Sequence, residues 1–163
     1  MMAAESAYPE AYIEFLVAFH AQRDYYECHE ILEEHWQKQG RTETIWVALI
    51  QMAVSLYHQR RKNFSGALKL MRSAYDKLLH EKEHLDELGL DVRQTLNIVQ
   101  NQINAIEKQQ PYCSIALPIN DPALLNRCQQ LCRQRRLIWG APSDMANEQL
   151  INKHIVIKQQ DRA

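Results

Sequence analysis

Before Pro111 the chain contains one proline, Pro9, and three glycines, Gly40, Gly66 and Gly89. So few turn formers leave few places for the backbone to reverse, and apolar residues recur through this region at the spacing of one helical face. The first two-thirds is therefore expected to be all-helical. Tyr8, Ala11, Tyr12, Phe15, Leu16 and Phe19 mark a first helix ending near Gln22, with one buried face. Asp24 followed by Glu27 reads as a capping box opening a second helix, which Gly40 stops, and Thr42 is placed to cap a third. That third helix is apolar around most of its circumference: Trp46, Ile50, Ala53 and Tyr57 form one stripe and Ile45, Leu49, Met52 and Leu56 widen it. It is expected at the centre of the bundle. Arg60, Arg61 and Lys62 fall in its last turn, where cations complement the helix dipole.

Asn63 or Ser65 then caps a fourth helix that carries Leu68, Met71, Ala74, Tyr75, Leu78 and Leu85 and is closed by Gly89. Asp91 with Gln94 opens a fifth, whose narrow seam of Val92, Leu96, Val99, Ile103 and Ile106 suits a peripheral helix or one packing on a second copy of the chain. After Pro111 the pattern changes. "SIALPI", "RLIWG" and "HIVIKQQ" look β-like, while "DPALLNRCQQLCRQRR", with Asp121 as cap and Pro122 at the first helical position, and the weaker "SDMANEQLINK" look helical. The expectation is an all-α fold: a compact antiparallel bundle of about five helices over residues 1–110, with a C-terminal extension, 111–163, of short helices and short strands packed on or next to it.

Charge narrows the class. Lys and Arg number 19 against 20 Asp and Glu, a net charge of −1, which argues against nucleic acid as the main partner because such binding rests on phosphate neutralisation. No apolar run is long enough to span a bilayer. The start, "MMAAESAYPEAYIEF", lacks the basic and apolar regions of a signal peptide, so a cytoplasmic protein is expected, with Cys28, Cys113, Cys128 and Cys132 as reduced thiols.

The chemistry concentrates in "YYECHEILEEHW", residues 25–36. Advancing one hundred degrees per residue, Tyr25, Leu32 and Trp36 share a stripe and His29 lies within about forty degrees of it, so His29 is expected to face the core. Glu33, one turn on, lies beside His29, and Glu30, Glu27 and Glu34 turn progressively to solvent. On the third helix Val47, Gln51, Val54 and His58 form one row. If the two helices pack antiparallel, His29, Glu33, Gln51 and His58 converge as a buried polar cluster that fixes the packing register.

Tyr26-Glu27-Cys28-His29-Glu30, then Glu33 and Trp36, followed by "LIQMAVSLYHQRRKNFSGAL" from Leu49 to Leu68, resembles the bacterial and archaeal domain of unknown function 309. The resemblance spans about residues 8–85 and implies a compact all-helical domain; the part after Pro111 is similar to the longer forms seen in bacilli. Two functions are compatible with these residues. One is a cytoplasmic scaffold or interaction module, able to form a homo-oligomer, with the polar cluster as its internal register. The other is a metal-dependent hydrolase, a label the family has carried for its His/Glu pattern: His29, Glu33 and His58 would hold zinc, manganese or iron and Glu30 would act as general base. The set lacks the second histidine of the His-Glu-x-x-His helix. In the extension, Cys128 and Cys132, one turn apart, with Cys113 and His154, are a second candidate zinc set, against buried free thiols. The "RQRR" run, Arg133 to Arg136, with Trp139 nearby, could touch RNA or phosphate, against a solvated helix end. The aromatics Tyr25, Tyr26, Trp36, Trp46 and Tyr57 are expected in the core, unless an empty pocket lies between them.

Overall fold

A computed structural model describes residues 8–162. Residues 1–7, on which the expectation about a signal peptide partly rests, lie outside them. The chain forms α1 (Glu10–Val17), α2 (Tyr25–Lys38), α3 (Thr44–Arg60), α4 (Phe64–Leu79), α5 (Lys82–Glu87) and α6 (Val92–Glu107). An extended stretch follows, then α7 (Pro122–Gln134), α8 (Glu148–Ile151) and α9 (Lys153–Arg162). The architecture is all-α, with α3 at the centre between α2 and α4. Its buried residues, from Ile45 and Trp46 through Leu49, Met52, Ala53 and Leu56 to Tyr57, go round most of the helix, as its composition requires.

Helix starts follow the caps. Asp24 accepts the Glu27 N–H at 3.0 Å, Asn63 the Gly66 N–H at 3.1 Å and Asp91 the Gln94 N–H at 2.9 Å. Each pair satisfies a backbone donor that an α-helix leaves open. Thr42 does not cap α3; its hydroxyl donates back to the Gln39 carbonyl, and the helix starts beyond it at Thr44. The end of α1 widens into a π-helical turn, Ala18–Gln22, before Arg23 turns left-handed at φ 54°. That turn carries His20 and Arg23 inward, where both are buried.

The expected fourth helix is two: the chain breaks after Leu79 and resumes as α5. Gly89 ends it at φ +74°, and an added Cβ there would lie 2.8 Å from the Tyr8 hydroxyl and 2.9 Å from Leu124, so the position needs both the left-handed backbone and the missing side chain. The seam of α6 packs within the chain, burying Val99, Ile103 and Ile106 on the side of α4 and α5.

The extension lies on the bundle. α7 packs along α1 with Leu124, Cys128 and Cys132 buried, flanked by a two-pronged Arg135–Glu14 pair at 2.7 Å and by Arg127–Glu10 at 2.6 Å. The short strands expected here do not form among the described residues. "SIALPI" makes one isolated antiparallel bridge, Leu90 to Ile119, "RLIWG" is a turn, and "HIVIKQQ" lies in α9. A strand needs an edge to pair with and the bundle has none, whereas the weak helix preference of β-branched residues is easily overridden by packing.

Candidate functional site

The residues singled out on α2 and α3 fall into two groups. His29 Nε2 meets Glu33 Oε2 at 2.5 Å, one turn apart, with the side chains 30% and 38% exposed. The edge of the Tyr26 ring packs against the same imidazole, with centroids 5.7 Å apart. Glu30 is exposed. His29 was expected inside and instead sits half-buried, because the buried stripe of α2 is Tyr25, Cys28 and Leu32, which leans away from His29. The Cys28 thiol, rather than the imidazole, is the group taken into the core; it donates to the Phe15 carbonyl at 3.7 Å, and burial pushes its pKa well up. His29→Ala is accordingly expected to lower stability by less than about 1 kcal/mol, as for exposed ion pairs. Urea unfolding checks this, and a loss of several kcal/mol would restore the interior reading.

Gln51 and His58 form no part of that pair. Gln51 is half-buried with its side-chain oxygen shielded from solvent and without a hydrogen-bond partner. His58 is half-buried and pairs through Nδ1 with Asn63 at 3.3 Å. Among the described residues no three His, Cys, Asp or Glu side chains are grouped to hold a metal ion. The second zinc set does not assemble either: Cys128 and Cys132 are buried on α7, Cys113 is exposed, and His154 lies against Tyr57. Burial raises the Cys128 pKa to about 12, which suits a packed thiol rather than a thiolate ligand. Of "RQRR", Arg135 is engaged by Glu14.

What the two helices do border, together with His154 of α9, is a half-open pocket of about 170 Å³ lined by Tyr25, Tyr26, Val54, Tyr57, His58 and His154. Tyr57 is its pivot. Its ring meets Tyr26 at 6.2 Å, His58 at 5.7 Å and His154 at 5.4 Å, and the Arg61 guanidinium covers it at 5.6 Å. Its hydroxyl accepts the His154 backbone N–H at 3.1 Å and also bonds His154 Nδ1. Arg61 extends to Asn152 Oδ1 at 2.9 Å, so two contacts tie the α8–α9 corner to the end of α3. Burial, and next the Arg61 charge, lower the pKa of both His58 and His154; Lys158 and His58 add to the effect on His154. Both imidazoles are therefore neutral at pH 7.

Behind Tyr25 lies a buried cationic clamp. Arg60, 4% exposed, stacks on Tyr25 at 4.7 Å and on Tyr112 at 5.6 Å, and donates to Arg23 O at 2.7 Å, Ser143 Oγ at 2.9 Å and Leu150 O at 3.5 Å. Arg23 donates to the carbonyls of Ala141, at 2.8 Å, and Ile115. His20 gives its Nδ1 proton to Leu16 O at 2.8 Å and takes the Leu117 N–H on Nε2 at 2.9 Å, with the Trp139 ring stacked on it at 4.5 Å. Three basic residues of the bundle thus hold the extension by its backbone. Reading Arg60 as a dipole-complementing cation missed this, although it continues the buried stripe of Ala53 and Tyr57 by one helical step.

Compared with known proteins, residues 12–70 match the family described as a domain of unknown function (DUF309). A relative, the uncharacterized protein YpuF of Bacillus subtilis (strain 168), is 46% identical over 149 residues, which is 90% of this chain and 86% of the relative. The chain belongs to the DUF309 family. No solved structure matches it. The DUF309 span holds His29, Glu33, Gln51, His58 and every pocket residue except His154, which comes from the extension.

Proposed function

We propose that this DUF309 protein is a cytoplasmic, non-catalytic helical binding module, and that the pocket between α2, α3 and α9 receives a small, largely apolar molecule. The pocket itself carries this reading. Tyr25, Tyr26 and Tyr57 stand around a half-open pocket of about 170 Å³, and a concave, mostly apolar hollow of this kind is where small molecules bind. A cavity of about 150 Å³ is known to hold benzene, so the space suits a single ring. Apolar walls with a few polar groups are the usual composition of a ligand site.

The polar cluster has a supporting part in this reading. His29, braced by Glu33, sets the Tyr26 ring, and Gln51 and His58 lie on the row of α3 that carries Val54 into the pocket. Residues 1–110 and the extension 111–163 then act as one unit, because His154 completes the wall. The hydrolase reading gains nothing from the geometry: His29 and Glu33 stand apart from the His58–Asn63 pair, and Glu30 faces solvent. Self-association through α6 gains nothing either, since its seam packs on α4 and α5.

The test is saturation-transfer NMR with benzene, phenol and indole as probes, on the full chain and on Val54→Trp, which fills the pocket from its wall. Binding of at least one probe to the wild type and its loss in the variant is expected. If none of the probes binds at millimolar concentration, or if Val54→Trp binds as the wild type does, the pocket is not a ligand site.

A further inference from the structure

The extension is held to the bundle in two different ways. Up to Ser143 it is anchored by burial: Leu117, Leu124, Cys128 and Cys132 enter the core, His20 and Arg23 bind its backbone, and Arg60 reaches Ser143 Oγ. From Asp144 to Lys158 no residue is buried. Leu150, Ile151, Val156 and Ile157 are half-covered and Ile155 is exposed, so α8 and the described part of α9 add no side chain to the core.

What keeps this segment in place is polar and lies around the pocket. Lys153 Nζ meets Asp24 Oδ2 at 2.6 Å and Glu27 Oε1 at 3.9 Å, and Asn152 Oδ1 accepts from Arg61 at 2.9 Å. The Leu150 carbonyl lies 3.5 Å from Arg60, and His154 meets the Tyr57 hydroxyl through both its backbone N–H and its ring. Ion pairs and single hydrogen bonds near the surface are each weak, because water offers the same groups nearly equivalent partners. Releasing them also leaves the bundle's own contacts intact. Asp24 caps α2 through its other oxygen, Oδ1, and Arg60 keeps the Arg23 carbonyl, Ser143 Oγ and its two stacked rings. Between the anchored and the polar-held parts, residues 144–147 are exposed, and Asp144 closes a local turn on Ala146 and Asn147. A rotation there moves α8 and α9 without disturbing the anchor.

Resting on the pocket reading above, we propose that residues 148–158 are a latched lid, swinging about residues 144–147, whose closure brings His154 onto Tyr57 and completes the pocket around its occupant. The latch sits on Asp24, Tyr57 and Arg61, at the ends of α2 and α3 that carry the lining. An occupant that touches both Tyr57 and His154 binds the closed form better and shifts the population toward it, so occupancy and latching reinforce one another. Lids come from the least stable parts of a fold, since they open far more often than the whole unfolds.

The test is native-state hydrogen exchange on the full chain, as wild type and as the double variant Asn152→Ala/Lys153→Ala, with and without millimolar indole. Neither substituted side chain lines the pocket. The His154 N–H, bonded across to Tyr57, reports the latch directly. In the wild type it should exchange well before the amides of α2, α3 and α7. In the double variant it should exchange about 10-fold faster, as for the loss of one ion pair and one hydrogen bond near the surface, while the α2 and α3 amides keep their rates. Indole should slow the His154 amide in the wild type and bind several-fold more weakly to the double variant. Exchange of His154 in step with α2 and α3 would mean that the segment opens only when the whole fold does, and overturns the lid. Indole that binds without slowing the His154 amide, or that binds both proteins equally, overturns the coupling of lid to pocket and leaves the pocket standing. If indole, benzene and phenol all fail to bind, the pocket reading fails and the lid falls with it.

Discussion

Replacing Arg60 with alanine is expected to lower the unfolding free energy by about 3–5 kcal/mol, in the range of the most damaging single substitutions. Arg60 is 4% exposed, and its guanidinium stacks on Tyr25 and Tyr112 and serves acceptors on Arg23, Ser143 and Leu150. Truncation empties a buried volume and strands the buried Arg23 carbonyl, at about 1–3 kcal/mol for an acceptor left unsatisfied in the interior, while the half-buried acceptors on Ser143 and Leu150 lose a partner at smaller cost. Part of the loss is offset, because a buried cation no longer has to be desolvated. Two of the three acceptors belong to the extension, so amide exchange should quicken first around Ser143 and Leu150 while the α2–α3 core stays protected. Urea unfolding with hydrogen exchange measures both effects. A loss under about 1 kcal/mol, the scale of surface substitutions, would mean that Arg60 does not bridge bundle and extension.

Acid is expected to unfold the protein through His20 before most carboxylates titrate. Burial, and to a lesser degree the Arg23 charge, lower its pKa from 6.5 to about 4 against the opposing pull of the Leu16 carbonyl. Its Nε2 accepts the Leu117 N–H, so protonation would set two donors face to face. The unfolded chain takes up this proton near pH 6.5 and the folded chain only near 4. Stability from this group is therefore complete above pH 6.5 and is lost as pH falls toward 4, by about 3 kcal/mol. His35, His58 and His154 are lowered too and act in the same direction. The measurement is the difference between wild type and His20→Gln in urea unfolding from pH 8 to pH 4. The variant, without the ring that stacks on Trp139, starts less stable but should show a flatter dependence; parallel curves would remove His20 from the account.

The bundle and most of its helix starts were legible because they depend on neighbours in sequence; the start of α3, which Thr42 does not cap, and the break before α5 were not. The caps at Asp24, Asn63, Asp91 and Asp121 each act within three residues of the helix they open, and the all-round apolarity of α3 can be satisfied only at a centre. The His29–Glu33 pair was legible for the same reason: residues one turn apart meet wherever the helix lies. The side of α2 that turns inward was not. It depends on how closely the facing helices approach, and the small Cys28 admits that approach better than an imidazole.

The sequence alone determined the all-α class, the helix order of the bundle, membership-bearing motifs on α2 and α3, and the contact of Glu33 with His29. The tertiary structure decided that His29 stays at the border, that "HIVIKQQ" coils into α9 instead of pairing as a strand, and that Tyr57 and His154, 97 residues apart, share a hydrogen bond in one pocket wall. Helical periodicity is a short-range code of one or two turns. The pocket and the arginine clamp exist only where the extension folds back on α3, and that return is settled by which buried donors and acceptors find partners across the whole chain.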